Sequence, residues 1–312
     1  MTWLDGELVK DSKIIANSFN LFFSLPVQNS ARVSAQDSID KNFFRNSILN
    51  QTLGINKKPA LTHFKLTSTN EIIELIKSLK TKDSCGYDDI SSRILKISAP
   101  CIASPLTYIF NKILILGVFP DRMKYSVIKP LHKKGSTKEL GNYRPISLFT
   151  AFSKVLEKLI YKRLYSYLDK NRILSKDQFG FRKTLSTSSA TDVLMNSILS
   201  AFDNKKYVGG LFCDIRKAFD TVNHELLLTK LESYGILGSS YKLLKSYLKD
   251  RYQKVVIINN SNTEASSSWE LVRYSVPQGS VLVRYCFLFT SMIWPISYVD
   301  MLSQYFLLMT QM

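Results

Sequence analysis

Paired cysteines, carboxylates and long apolar runs are all scarce in this sequence, and each scarcity closes off a class of protein. The four cysteines, Cys85, Cys101, Cys213 and Cys286, stand far apart with no C-x-x-C spacing. That speaks against a zinc site or a disulfide framework, predicts no disulfide partner, and suits a reducing compartment. The first residues, Met1 to Gly6, lack the basic and then apolar layout of a signal peptide, so an intracellular protein, nuclear or cytoplasmic and not secreted, is expected. Nothing before residue 283 reads as an apolar run long enough to span a bilayer. Residues 285–299 are apolar but short and interrupted by Pro295, so no membrane partner is expected, and no internal repeat is visible. Carboxylates are outnumbered: 25 Asp and Glu face 42 Lys and Arg, a formal charge of +17 spread along the chain. Such an imbalance favours a polyanionic partner held less tightly as salt rises, although a merely basic surface has the same composition.

What is present is the makings of a globular protein: 312 residues, 45% of them hydrophobic and 21% charged, enough for a large core and more than one subdomain. Residues 1–64 hold one weak helical pattern around Lys13 to Phe23 and otherwise read as a loosely packed lead-in. Ser68-Thr69-Asn70-Glu71 has the form of a capping box, opening an amphipathic helix through Lys80. After the turn Cys85 to Ile90, Ser91–Ile97 and Ser104–Leu116 read as two helices separated at Pro100, the second closed by Gly117. Tyr125–Leu131 has strand alternation, and Pro130 predicts an edge position. The basic turn His132-Lys133-Lys134-Gly135 and the segment Tyr143–Leu148 complete a two-strand unit with cations at its tip. A long core-facing helix follows from Phe152 to Leu168, then a loop at Gln178–Arg182 and a helix from Ser186 or Thr187 to about Phe202. Further helices are expected near Glu225–Tyr234 and Ser239–Lys249, broken at Gly235. Gln253–Ile258 and Trp269–Tyr274 pattern as a hairpin. Helices gathered around a few antiparallel strands make an α+β domain.

The chemistry centres on Tyr207 to Asp220, where a β-rich apolar run ends on Asp214. A carboxylate at the end of a buried strand costs desolvation energy unless it is paired or binds a cation. Asp214 is therefore a candidate metal ligand, with capping of the next turn or pairing to Arg216 or Lys217 as the ordinary alternative.

Several motifs stand in fixed order: Tyr143-Arg144-Pro145-Ile146-Ser147-Leu148, Gln178-Phe179-Gly180-Phe181-Arg182, Asp214 through Asp220, and Val276-Pro277-Gln278-Gly279-Ser280. Together they resemble the reverse transcriptase domain of non-LTR, LINE-type retrotransposons, from about residue 65 to Leu282. The resemblance implies the fingers and partial palm of a right-hand polymerase at 65–282, copying RNA into DNA. RNA template, DNA primer and deoxynucleoside triphosphates would be its partners and two Mg2+ ions its cofactors. Two cations about 3.5–4 Å apart would hold the attacking and leaving oxygens. On this resemblance Asp214 is catalytic and, with the Ile215 carbonyl, a metal ligand. Phe219 lies under the incoming sugar, and Arg144 and Arg182 meet triphosphate or template backbone. Gln278 and Gly279 close over the nascent base pair, and Lys133 and Lys134 add nucleic-acid contacts. The bland alternatives are a core aromatic for Phe219, a Pro-Gln-Gly turn for the Gln278 segment and solvated charges for the two lysines.

After Leu282 the chain leaves the family. Where the family continues Gly-Pro-Leu-Leu-Phe, Tyr-Ile-Asn-Asp-Leu and Phe-Ala-Asp-Asp, this chain reads Val283-Arg284-Tyr285-Cys286, Thr290-Ser291-Met292-Ile293-Trp294 and Leu307-Leu308-Met309-Thr310-Gln311-Met312. Written with codons chosen from those the genetic code allows, a one-base slip relates all three. GGT CCG TTA CTG TTT, read one base later, gives Val-Arg-Tyr-Cys. TAC ATC AAT GAT TTG G gives Thr-Ser-Met-Ile-Trp, and TTT GCT GAT GAC ACA AAT G gives Leu-Leu-Met-Thr-Gln-Met. Residues 283–312 are thus expected to be an out-of-frame apolar tail, and the chain a truncated, frame-shifted domain. Beyond Glu270 its only carboxylate is Asp300, so loss of the metal-binding doublet and of activity is expected. A non-catalytic RNA- or DNA-binding module and an unstable relic are the alternatives.

Overall fold

The computed structural model describes residues 2–4, 7–9, 11–24, 59–174, 178–182, 185–209, 222–258, 263–272, 278–283 and 286. In chain order the elements are β1 (Thr2–Leu4), β2 (Glu7–Val9), α1 (Ser12–Ser24), α2 (Thr69–Lys77), α3 (Ser92–Leu116), β3 (Tyr125–His132), β4 (Tyr143–Phe149), α4 (Ala151–Lys170), α5 (Thr187–Asp203), α6 (His224–Ser233), α7 (Gly238–Leu248), β5 (Arg251–Ile258), β6 (Glu264–Ser266) and β7 (Glu270–Val272). The architecture is α+β, a helical body beside a small mixed sheet.

Helix starts follow local chemistry. Ser68, Ser91, Thr150 and Asn223 each accept a backbone N–H from the first turn that follows, and Ser186 forms a reciprocal capping box with Ser189, each cap worth about 1 kcal/mol. At Ser68 only half of the expected box forms. The Glu71 carboxylate turns away to Thr67, Lys162 and Arg163, because a guanidinium fork offers a stronger contact than one amide.

Two prolines overturn the two-helix reading of residues 91–116. A single helix, α3, runs through Pro100 and Pro105 and ends at Gly117, whose φ of 69° is left-handed. Proline removes one hydrogen bond per site. The buried stripe Leu95, Ala99, Ala103, Leu106, Phe110, Ile113 and Leu114 outweighs that loss, since each large apolar side chain contributes about 1.5–3 kcal/mol on burial. The merged helix is also long and apolar enough to cross a membrane by length and composition, which the split reading hid. Here its inner face packs into the main core with Ile72 and Ile76 of α2 and Val155, Leu156, Leu159 and Ile160 of α4.

The sheet order is β4-β3-β5-β6, with β7 also on β5. β3 is therefore interior, contrary to the edge position expected from Pro130. It tolerates proline because its parallel pairing with β5 covers only Tyr125–Ile128, so Pro130 lies past the end of that ladder, facing Pro145 of β4. That parallel contact also makes the sheet mixed where antiparallel pairing alone was expected. The returning strand of the expected hairpin is split into β6 and β7, both antiparallel to β5.

The described part of the 1–64 lead-in is packed. α1 buries Ile15 and Phe19 against Ile128 and Val255 on one face of the sheet. The Asn20 amide donates to Ser267 Oγ and the Ser268 carbonyl at 2.9 Å each, and its oxygen accepts from Gln253 Nε2 at 3.1 Å. Leu61 exchanges backbone hydrogen bonds with Gly235 and Leu237, and Phe64 is buried in the main core.

Candidate nucleic-acid interface

The hairpin β3–β4 projects the basic turn. Lys133 and Lys134 are exposed at its tip, where Lys133 N–H donates to the Asn142 carbonyl at 2.9 Å and the Asn142 amide donates to the Ser136 carbonyl at 2.9 Å. The turn is thus held by its own hydrogen bonds and leaves both ammonium groups in solvent. Arg144 lies on β4 opposite Leu131 and is exposed.

The free edge of β4 is where two sequence motifs meet. Ser147 N–H donates to the Gln278 carbonyl at 2.9 Å, and Gly279, at φ 118°, lies so close that a Cβ there would stand 2.8 Å from the Ser147 oxygen. Only glycine fits both the dihedral and the gap. Gln278 and Gly279 thereby join the strand that carries Arg144, although well over a hundred residues of sequence separate them. The Gly86 turn approaches the C-terminal end of the same strand: a Cβ at Gly86 would be 2.6 Å from Thr150 N, so the turn lies against the junction of β4 and α4. Burial raises the Asp88 pKa and lowers that of Lys154, with the attraction between the two opposing both shifts.

The turn after Gly279 is fixed by a residue that motif matching missed. Glu157 of α4 is fully buried, and its Oε2 accepts from Ser280 Oγ at 2.6 Å and Val281 N–H at 2.7 Å, with Leu282 N–H at 3.4 Å. Its Oε1 accepts from Ser153 Oγ at 3.2 Å. Ser280 Oγ also contacts the Tyr247 hydroxyl at 2.6 Å, and Arg251 donates to the Tyr247 carbonyl at 2.9 Å while lying over the Phe149 and Tyr247 rings. Burial, reinforced by Glu157, holds the Tyr247 pKa well above its usual value and pushes Cys286 up to about 12. A signal for Glu157 did exist: it sits in register with Ile160, Leu164 and Leu168, on the apolar stripe of its helix.

Arg182 is half-buried, and Phe181 beside it packs on the main core. Asp214, Ile215, Phe219 and Asp300 lie outside the described residues. Among the described residues no group of three or more His, Cys, Asp or Glu side chains comes together as a metal site.

The α+β fold, the basic hairpin and the glycine turn seated on its outer strand are consistent with the fingers and palm region of a nucleic-acid polymerase. Residues 131–292, just over half the chain, match the family described as reverse transcriptase (RNA-dependent DNA polymerase). The chain is 39% identical over 213 residues to a probable RNA-directed DNA polymerase from transposon BS of Drosophila melanogaster, covering 68% of this chain and 23% of that protein. It is 36% identical over 219 residues to its counterpart from transposon X-element (69% and 24%), and 35% identical over 213 residues to the RNA-directed DNA polymerase from mobile element jockey (68% and 23%), both of the same fly. The chain belongs to the reverse transcriptase family, as a domain of the non-LTR retrotransposon, LINE-type branch. It spans about a quarter of the length of these relatives.

Proposed function

We propose that this chain is the fingers and first part of the palm of an RNA-directed DNA polymerase, and that as it stands it cannot complete nucleotide transfer. The observation that carries the polymerase reading is the Ser147–Gln278 contact, which sets the Gln278-Gly279 turn on the Arg144 strand. A turn seated on the strand that carries Arg144, in a hairpin whose tip exposes Lys133 and Lys134, suits closure over a base pair whose phosphates face cations. RNA template, DNA primer and deoxynucleoside triphosphates are the partners this reading assigns to the longer protein, at work inside the cell.

The donor set does not fit two magnesium ions. Asp214 and the Ile215 carbonyl would supply one side of such a site. The sequence beyond Glu270 offers Asp300 alone, between Val299 and Met301, and two-metal phosphoryl transfer needs clustered carboxylates. With the codons chosen above, a one-base shift after Leu282 would turn the expected Asp-Asp doublet into Met309-Thr310. No catalytic step is derived through the ions for this chain.

Primer extension on an RNA template with magnesium is the test. This chain should give no product, whereas a chain whose frame is restored after Leu282 should extend the primer and lose that ability on Asp214→Asn. Extension by the present chain that Asp214→Asn abolishes would overturn the inactive reading.

A further inference from the structure

Helix α3 buries one stripe of side chains and leaves the opposite stripe bare. Leu95, Ala99, Leu106 and Phe110 are among those that face the core, whereas Ile94, Ile97, Cys101, Ser104, Tyr108 and Ile115 are exposed. The exposed set recurs at spacings of three and four, the seam along which one helix packs on another. Asn111 would continue it between Tyr108 and Ile115, but its side chain is held by the Thr67 backbone at 2.8 and 3.0 Å. Ile109 and Leu116 widen the stripe along one flank.

The Ile, Leu and Tyr side chains of this surface are 46–75% exposed. At about 150–200 Å² for a fully exposed large side chain they leave about 600 Å² uncovered, before Cys101 and Pro105 are counted. That matches the largest apolar patch a monomer ordinarily shows, about 300–600 Å², and approaches the roughly 800 Å² that each partner gives to a standard interface. The stripe is also its own complement. Large side chains stand at both ends, Ile94 and Ile97 at one and Ile115 and Leu116 at the other, with the small Cys101 and Ser104 between them. Helices that cross come nearest where the side chains are small.

We propose that two copies of this chain associate through the exposed stripe of α3, antiparallel about a two-fold axis near Ser104. Such a contact is isologous, and it sets Ile94 beside Ile115 of the second copy and Cys101 beside its Tyr108. Apolar area holds the pair together, and charge opposes it. α3 contains no Asp or Glu, and Arg93, Lys96 and Lys112 border the stripe, Lys112 Nζ lying 5.6 Å over the Tyr108 ring. Salt screens that repulsion, so the dimer tightens as salt rises, whereas copies bridged by a polyanion would separate. Neither a metal ion nor nucleotide transfer enters, so the association is independent of the polymerase reading.

The test is size exclusion with light scattering on the full, nuclease-treated chain, at several protein concentrations and from about 0.1 to 1 M salt. A dimer whose fraction grows with salt is expected. Ile97→Asp and Tyr108→Asp should each weaken association at least tenfold, whereas Leu199→Asp, at an exposed apolar position on α5, should leave it unchanged. In the antiparallel pair the two Cys101 thiols stand about 10 Å apart along the helix axis, so bismaleimidohexane should link the copies and Cys101→Ser should abolish the link. A monomer at every salt concentration would overturn the proposal and give the stripe to a different partner. A dimer that salt dissolves, larger species untouched by the α3 variants, or a link that survives Cys101→Ser would overturn it too. Should the Asp variants fail to fold, the Cys101 link decides, because serine at that exposed position disturbs no packing. Primer extension plays no part, so failure here and failure of the polymerase reading are told apart.

Discussion

Replacing Glu157 tests whether the turn that follows Gly279 is held by a buried carboxylate. In Glu157→Ala the buried hydroxyl of Ser280, the buried amide of Leu282 and the partly buried amide of Val281 lose their shared acceptor. Hydrogen bonds to a charged group contribute about 1.5–3 kcal/mol each, and a buried donor left unsatisfied costs about 1–3 kcal/mol. Two short bonds and one long one would suggest a gross loss near 6 kcal/mol, from which the relief of no longer desolvating a carboxylate must be subtracted. A net cost of about 3 kcal/mol is expected. Glu157→Gln keeps one oxygen for those three donors and turns its amide toward Ser153 Oγ, which can accept as well as donate, so its cost should be nearer 1 kcal/mol. Urea denaturation measures both, and limited proteolysis reports the turn, whose cleavage should rise in the Ala variant ahead of global unfolding. An Ala variant within about 0.5 kcal/mol of the parent chain, or a Gln variant as damaged as the Ala variant, would refute the account of Glu157 as a hydrogen-bond anchor.

Acid should loosen the contact between α2 and α4. The Arg163 guanidinium, ahead of Lys162 and Thr67, lowers the Glu71 pKa from 4.5 to about 2 against the opposing effect of burial. The stability this contributes is fully present above pH 4.5 and is lost as pH falls toward 2. Discounted for partial solvent screening it amounts to about 1–2 kcal/mol. Glu71→Gln should flatten the acid limb of a stability profile across that window, and an unchanged limb would show that the pair contributes nothing. Gly279→Ala combines a φ of 118° with a Cβ 2.8 Å from the Ser147 oxygen, so it should cost about 1–3 kcal/mol and raise amide exchange at Ser147; exchange at the parent rate would mean that the turn does not press on β4.

Much of the architecture is written in short-range chemistry, and there the sequence alone was decisive. Ser68, Ser91 and Ser186 mark helix starts because an N-cap needs only a side-chain oxygen and the next few amides. The β3–β4 hairpin with Lys133 and Lys134 at its tip, and the ordered motifs that gave the family, are likewise legible within a few residues of chain. Distant partners decided the rest. Whether Pro100 and Pro105 break a helix depended on the core beneath α3, and whether Pro130 forces an edge depended on where β5 stops. Glu71 left its own cap for an arginine 92 positions away. Glu157 looked like one polar residue in an apolar stripe until α4 met the Ser280 turn. A buried polar group is satisfied by whatever tertiary packing brings beside it, and no local pattern can name that partner in advance.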